Sequence, residues 1–111
     1  MQIALDYDHT YTADPRFWDL FIKSAQRAGH DVRIVTVRNP SFDMTPRLDR
    51  LRHEVPIIWT SGVAKRWHCL HFGEGFVPDI WIDDKPESIL QNSTTSPEAL
   101  AEWRLTRPEE P

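Results

Sequence analysis

The chain has 111 residues, of which 40% are hydrophobic and 27% charged, and its formal net charge is −4. This length suits one domain with a single core, and the negative balance gives no broad basic surface for nucleic acid. The lone Cys69 excludes a framework of internal disulfides and favours a reducing compartment. Because the sequence has no membrane-length apolar run and no signal-peptide pattern at its N-terminus, we expect a cytoplasmic protein without membrane association.

Apolar stretches and helical patterns alternate along the chain. Short apolar segments bounded by polar or turn residues predict four strands, and apolar periodicity with start and stop signals predicts helices. Pro15 suits a helix start, and Gly29 suits the end of the same helix. The predicted strands cover residues 2–5, 32–37, 55–59 and 79–82, and the predicted helices cover 15–29, 45–53, 63–72 and 86–90.

This alternation is typical of βαβ units, which form parallel sheets with right-handed crossovers. In such sheets the ligand site lies beyond the carboxyl ends of the strands. Polar side chains gather at these ends in the sequence. They are Asp6, Asp8 and Thr10 after the first strand, Thr36 at the end of the second, Thr60 and Ser61 after the third, and Asp83 and Asp84 after the fourth. The pattern predicts a functional site at one edge of the sheet.

Two aspartates, Asp6 and Asp8, follow the first predicted strand. Carboxylates so close together repel each other and are normally neutralised by a cation or by a raised pKa. Oxygen ligands of this kind suit Mg²⁺, and a carboxylate can also act as a nucleophile. We therefore interpret this segment as a Mg²⁺ site that contains a nucleophilic carboxylate. The sequence has no glycine-rich phosphate loop, which disfavours a P-loop kinase.

Four motifs resemble those of the haloacid dehalogenase (HAD) superfamily of phosphohydrolases. They are Asp-x-Asp-x-Thr at residues 6–10, a strand ending in Thr36, Lys65 near a helix start, and a strand ending in the pair Asp83-Asp84. Their order and strand placement agree with the superfamily from residue 2 to about residue 90. The resemblance implies a three-layer α/β sandwich of Rossmann type with strand order 3-2-1-4. It also implies a catalytic core over residues 1–92.

The resemblance further implies a phosphomonoester hydrolase that works through an aspartyl-phosphate. By this resemblance Asp6 is the nucleophile. Asp8 protonates the leaving oxygen and then activates the water that hydrolyses the intermediate. Thr36 donates a hydrogen bond to the phosphoryl oxygens, and Lys65 neutralises charge on the nucleophile and the phosphoryl group.

The implied cofactor is Mg²⁺, held by the carboxylate of Asp6, the main-chain carbonyl of Asp8 and the acidic pair. The pattern of related enzymes favours Asp84 as the direct ligand. Asp83 would then contact the ion through a water or lie behind the direct ligands.

Three further residues are candidates for substrate binding. They are Thr10, Arg38 and Lys85. Lys85 is also an alternative to Lys65 as the lysine of the third superfamily motif. Arg38 either contacts the substrate phosphate with two N–H groups or lies at the surface.

No segment of the chain is long enough for the cap domain that many HAD relatives carry. Only the stretch 10–14, whose first residue also ends the first motif, leads to the next helix, and one helix with a glycine turn occupies 61–78. An open site suits a phosphorylated substrate that covers the site itself, such as a phosphoprotein or a nucleic-acid end. A small phosphorylated molecule would need a partner subunit to cover it.

Residues 93–111 are predicted to form a linker and a short helix with a frayed end. Leu100, Trp103 and Leu105 give this helix an apolar stripe, which would dock on the core or join two copies in a homo-oligomer. Two other functions remain open at this point. One is a degenerate HAD core that binds metal, a phosphorylated ligand or a protein without turnover, suggested by the short flap and by His9 in place of a common glycine. The other is a receiver-type phosphoacceptor, which the absence of an aspartate after the third strand disfavours.

Overall fold

The computed structural model describes residues 1–92. Its strands are β1 (Gln2–Leu5), β2 (Asp31–Thr36), β3 (Ile57–Trp59) and β4 (Ile80–Ile82). Its helices are α1 (Pro15–Arg27), α2 (Pro46–Leu51), α3 (Lys65–Phe72) and α4 (Glu87–Leu90). A short 3-10 helix, Tyr11–Ala13, was not predicted from the sequence. The predicted C-terminal linker and helix lie outside the described residues.

The four strands form one parallel sheet in the order β3-β2-β1-β4. β1 lies inside the sheet, where Ile3 is opposite Val32 of β2 on one side and Ile80 of β4 on the other. The α/β class and the strand order predicted from the sequence are therefore confirmed, and the arrangement is Rossmann-like. Because all strands run in the same direction, their carboxyl ends share one edge of the sheet.

Helices cover both faces of the sheet. Successive residues of a strand point to opposite faces, so Ile3 and Leu5 belong to one apolar cluster while Ala4 belongs to another. The first cluster takes side chains from α1 and α2, namely Ile22, Ala25, Leu48 and Leu51. The second cluster takes Cys69 from α3, together with Phe76. The sheet is thus the middle layer of three.

The helices that follow β1 and β2 begin with side-chain caps and prolines. Asp14 accepts a hydrogen bond from the amide of Phe17 at the start of α1, and Thr45 accepts one from the amide of Leu48 at the start of α2. A proline follows each cap, where its missing N–H costs no helical hydrogen bond. Among residues 1–92, none of the helices combines the length and apolar character needed to cross a membrane.

Candidate functional site

The site lies at the edge of the sheet where the strands end. The amide of Asp6, the first residue after β1, donates to the carbonyl of Ile82 at the end of β4, with an N–O distance of 2.9 Å. This bond extends the pairing of the two strands by one residue. It brings the segment after β1 beside Asp83 and Asp84, which follow β4.

Three carboxylates form an acidic cluster at this edge. One oxygen from each of Asp6, Asp83 and Asp84 lies within 4.8 Å of the others. Asp6 is buried, with 7% of its surface exposed, whereas Asp83 is half-buried and Asp84 is exposed. The cluster therefore runs from the interior of the protein to its surface, and a ligand can approach it from the side of Asp84.

Lys65 supplies the positive charge of this cluster. Its Nζ lies 2.8 Å from Oδ1 of Asp6 and 2.5 Å from Oδ2 of Asp83. Lys65 is the first residue of α3 and only 1% exposed. Lys85 is exposed, and its main-chain amide, 2.9 Å from Oδ1 of Asp83, is the part of it that contacts the cluster. Of the two lysines considered from the sequence, the structure thus brings Lys65 to Asp6.

Burial and charge shift the pKa values of the two central groups. Burial raises the pKa of Asp6 to about 8, and it is helped by the hydrogen bond with Asp84 and the charge of Asp83, while Lys65 opposes the rise. Burial alone would lower the pKa of Lys65, but the charges of Asp6 and Asp83 outweigh it and leave that pKa raised. The single positive charge of Lys65 thus does not balance the negative charge of three carboxylates.

Thr10 links the segments that follow β1 and β4. Its Oγ1 lies 3.0 Å from Oδ2 of Asp6 and 3.3 Å from Oδ1 of Asp84, and it accepts a hydrogen bond from the amide of Asp84 at 3.2 Å. A hydroxyl has a single proton, so it donates to one of these carboxylates at a time. The sequence suggested Thr10 as a substrate contact, whereas the structure places it against the carboxylates themselves.

Asp8 and Arg38 form a second charged group beside the cluster. Nε of Arg38 lies 2.9 Å from Oδ2 of Asp8, and Nη2 lies 2.6 Å from Oδ1. Nη1 donates to the carbonyl of Asp43 at 3.0 Å, and the guanidinium lies over the ring of Tyr7, 5.1 Å from its centroid. Arg38 is 0% exposed. It is therefore an interior arginine and not the surface one that was a sequence-based alternative.

Thr36 ends β2 in the interior of this edge. Its Oγ1 accepts a hydrogen bond from the amide of Arg38 at 3.3 Å, and its carbonyl accepts one from the amide of Thr60 at 2.8 Å. Accepting through Oγ1 leaves the hydroxyl proton of Thr36 available for donation. The buried Oγ1 of Thr60 has no hydrogen-bond partner within residues 1–92.

Two contacts at the site were not anticipated from the sequence. One is the pairing of Arg38 with Asp8, and the other is Ser88, whose hydroxyl lies 3.3 Å from Oδ2 of Asp83 and donates to the carbonyl of Lys85 at 2.8 Å. Arg38 stands two positions after Thr36, which ends β2, so its place at this edge of the sheet was expected from the sequence, but its pairing with Asp8 was not. No pattern in the sequence indicated that Ser88 would lie beside Asp83.

Comparisons with protein-family models, with curated proteins and with solved structures gave no match.

Proposed function

We propose that this protein is a Mg²⁺-dependent phosphomonoester hydrolase of the HAD type, with Asp6 as its nucleophile. The observation that carries the proposal is the contact of Lys65 with both Asp6 and Asp83, 2.8 and 2.5 Å away, while Asp84 remains exposed in the same cluster. A nucleophilic carboxylate must meet a phosphate dianion, so it needs positive charge on more than one side.

The donor set suits Mg²⁺. The ion prefers carboxylate and carbonyl oxygens and usually retains several waters. Asp6 and Asp84 would hold it, with the main-chain carbonyl of Asp8 as a third protein ligand. Asp83 is the weaker candidate for direct contact, because its oxygens already accept from Lys65 and from the main-chain amide of Lys85. The bound ion would supply charge neutralisation for the nucleophile and the phosphoryl oxygens.

The chain's own residues would act in two steps. In the first, a carboxylate oxygen of Asp6 forms a bond to phosphorus as the ester P–O bond breaks, and the leaving oxygen takes the electron pair and a proton from Asp8. In the second, water attacks the phosphorus of the aspartyl-phosphate and gives a proton to Asp8. Phosphate then leaves, and the carboxylate of Asp6 is restored. Lys65 stays on Asp6 and offsets the charge of the phosphoryl group.

Thr36 would hold the phosphoryl group in line with Asp6. Its position at the end of β2, next to β1, and the hydroxyl proton left available for donation support this role. The exposure of Asp84 supports an open entrance. That entrance suits a phosphorylated protein or nucleic-acid end, or a small phosphate ester covered by a partner subunit.

One observation favours a second function, a binding module without turnover. Both carboxylate oxygens of Asp8 accept hydrogen bonds from Arg38. The carboxylate that the hydrolase needs for proton exchange with the leaving group and with water is therefore already engaged. A protein of this kind would hold Mg²⁺ at the acidic cluster and bind a phosphorylated ligand or a protein partner without hydrolysis.

Phosphate release from a panel of esters separates the two functions. The panel contains p-nitrophenyl phosphate, nucleotides, phosphopeptides and a 5′-phosphorylated oligonucleotide, and each is assayed with Mg²⁺ and with EDTA. We expect release from wild-type protein with Mg²⁺, and background release with EDTA or in Asp6→Asn. Asp49→Asn is the matched control, because Asp49 is an exposed aspartate paired with Arg52 on α2.

Loss of activity in Asp6→Asn but not in Asp49→Asn would support the hydrolase. If folded wild-type protein shifts its melting temperature with Mg²⁺ but releases no phosphate from any ester, the hydrolase is wrong and the binding module is favoured. Activity that survives in Asp6→Asn would exclude Asp6 as the nucleophile.

A further inference from the structure

We infer that Arg38 is a positioning residue that orients Asp8 for proton transfer to the leaving group. This inference rests on the proposed hydrolase function. It gives Arg38 a role different from the direct substrate contact that the sequence suggested.

The contact between the two side chains fixes the plane of the Asp8 carboxylate. Nε and Nη2 of Arg38 each donate to a different oxygen, at 2.9 and 2.6 Å. A planar guanidinium that binds both oxygens restricts rotation of the carboxylate, which a single hydrogen bond does not. The oxygens of Asp8 retain lone pairs that point away from Arg38, since each can accept two hydrogen bonds.

Arg38 is held in turn by the segment between β2 and α2. Its Nη1 donates to the carbonyl of Asp43 at 3.0 Å. Asp43 closes this segment on itself, because its carboxylate accepts from the amide of Asn39 and its amide donates to the carbonyl of Asn39, both at 2.8 Å. The ring of Tyr7 lies against the guanidinium. The orientation of Asp8 therefore depends on a chain of contacts that starts in the backbone.

The hydrogen bonds that Arg38 already makes argue against its direct contact with a substrate. The residue is 0% exposed, and three of its nitrogen atoms already donate to protein oxygens. A substrate phosphate would have to displace Asp8 or Asp43 to reach it. Arg38 consequently acts through Asp8.

The inference predicts a defect that depends on the leaving group. Proton donation matters for an alkoxide, which is strongly basic, and matters little for p-nitrophenolate, which leaves without a proton. The ratio kcat/KM reports the steps up to departure of the leaving group, so slow hydrolysis of the aspartyl-phosphate does not obscure it. Arg38→Lys keeps the charge of the residue but removes the planar pair of donors.

We expect Arg38→Lys to lower kcat/KM for an alkyl phosphate, such as glycerol phosphate, by about 100-fold. The value for p-nitrophenyl phosphate should change only a few-fold, and Asp8→Asn should show the same selective loss. Arg33→Lys is the matched control, because Arg33 also binds an aspartate through Nε and Nη2, at 3.1 Å each, but lies within β2. Arg33→Lys should leave kcat/KM unchanged for both esters.

A second variant keeps the test decisive if Arg38→Lys does not fold. Asp43→Asn weakens the closure of the segment that holds Arg38 and should produce a smaller loss with the same preference for the alkyl ester. Equal losses on the two esters, or no loss on either, would overturn the positioning role while wild-type activity upheld the hydrolase. Wild-type protein that releases no phosphate with Mg²⁺ from these two esters or from any ester of the panel above would instead contradict the hydrolase, and the positioning role with it.

Discussion

Asp6 is the residue on which the opposing electrostatic effects of the site converge. It is buried, it contacts Lys65 and Thr10, and two further carboxylates lie within 4.8 Å. Desolvation and neighbouring negative charge favour its protonated form, whereas Lys65 favours its ionised form. The balance leaves Asp6 protonated over much of the acidic and neutral range in the metal-free protein.

This balance predicts how the stability of the metal-free protein depends on pH. The pKa of Asp6 is raised from 3.8 to about 8, so between these values the folded protein holds a proton that the unfolded chain has released. The contribution of this group is fully present below pH 3.8 and is lost as pH rises towards about 8. In EDTA, the free energy of unfolding of wild-type protein should therefore fall relative to that of Asp6→Asn between pH 5 and about 8.

Urea unfolding of both proteins across this pH range measures the difference. Asp49→Asn should follow wild type, because Asp49 is exposed and paired at the surface of α2. The proposed Mg²⁺ site requires the ionised carboxylate, so Mg²⁺ should raise the melting temperature of wild type more at pH 8 than at pH 6. Parallel pH profiles of wild type and Asp6→Asn would show that the pKa of Asp6 is not raised.

At the scale of elements, the segment from β1 to α1 combines a tight turn with a capped helix start. His9 adopts a left-handed backbone conformation, with φ of 65°, and the 3-10 helix Tyr11–Ala13 follows at once. Asp14 then caps α1 by accepting from the amide of Phe17. The direction in which α1 leaves the site is consequently set by a few residues.

The cap provides a prediction that concerns stability and not activity. Asp14→Ala removes the acceptor for the amide of Phe17 and should lower the free energy of unfolding by about 1 kcal/mol. Asp14→Asn retains an acceptor and should lower the free energy of unfolding by only about 0.3 kcal/mol. Thermal unfolding of the two variants beside wild type tests this. An equal loss in both would assign the effect of Asp14 to its charge at the helix N-terminus and not to the hydrogen bond.

The strands and helices were predictable from the sequence because each carries a local signal. β1 matches its predicted bounds, and Pro15 marks the start of α1. The 3-10 helix was missed because Tyr11–Ala13 has neither an apolar period nor a side-chain cap. The contact of Lys65 with Asp6 fitted the order of motifs, but the choice between Lys65 and Lys85 required the fold. The pairing of Arg38 with Asp8 joins residues 30 positions apart, and no local pattern specifies it.

At the scale of the whole molecule, two apolar clusters on opposite faces hold the sheet between its helices. The larger cluster joins β1 and β2 to α1 and α2, and it includes Leu48, which is 0% exposed. Since β1 and β2 also end at the candidate site, the packing of this cluster supports the positions of Asp6 and Thr36.

This packing predicts that two leucine-to-alanine substitutions lower the free energy of unfolding by different amounts. Leu48→Ala leaves a cavity under the sheet and should lower the free energy of unfolding by about 2–5 kcal/mol. Leu20→Ala on α1 truncates a side chain that is 63% exposed, so its effect should stay within about 0.5 kcal/mol. Chemical denaturation of both variants provides the comparison. Equal effects would mean that Leu48 does not belong to the cooperative core.

The position of β4 in the sheet also affects the order in which the site forms during translation. The sheet pairs β1 with β4, so Asp6 meets its acidic neighbours only after Asp84, 78 positions later, has been synthesised. At roughly 5–20 residues per second this delay is about 4–16 s. On the ribosome, the nascent chain therefore carries Asp6 for several seconds without the acidic pair, and a prematurely terminated product that ends before β4 would lack the acidic cluster.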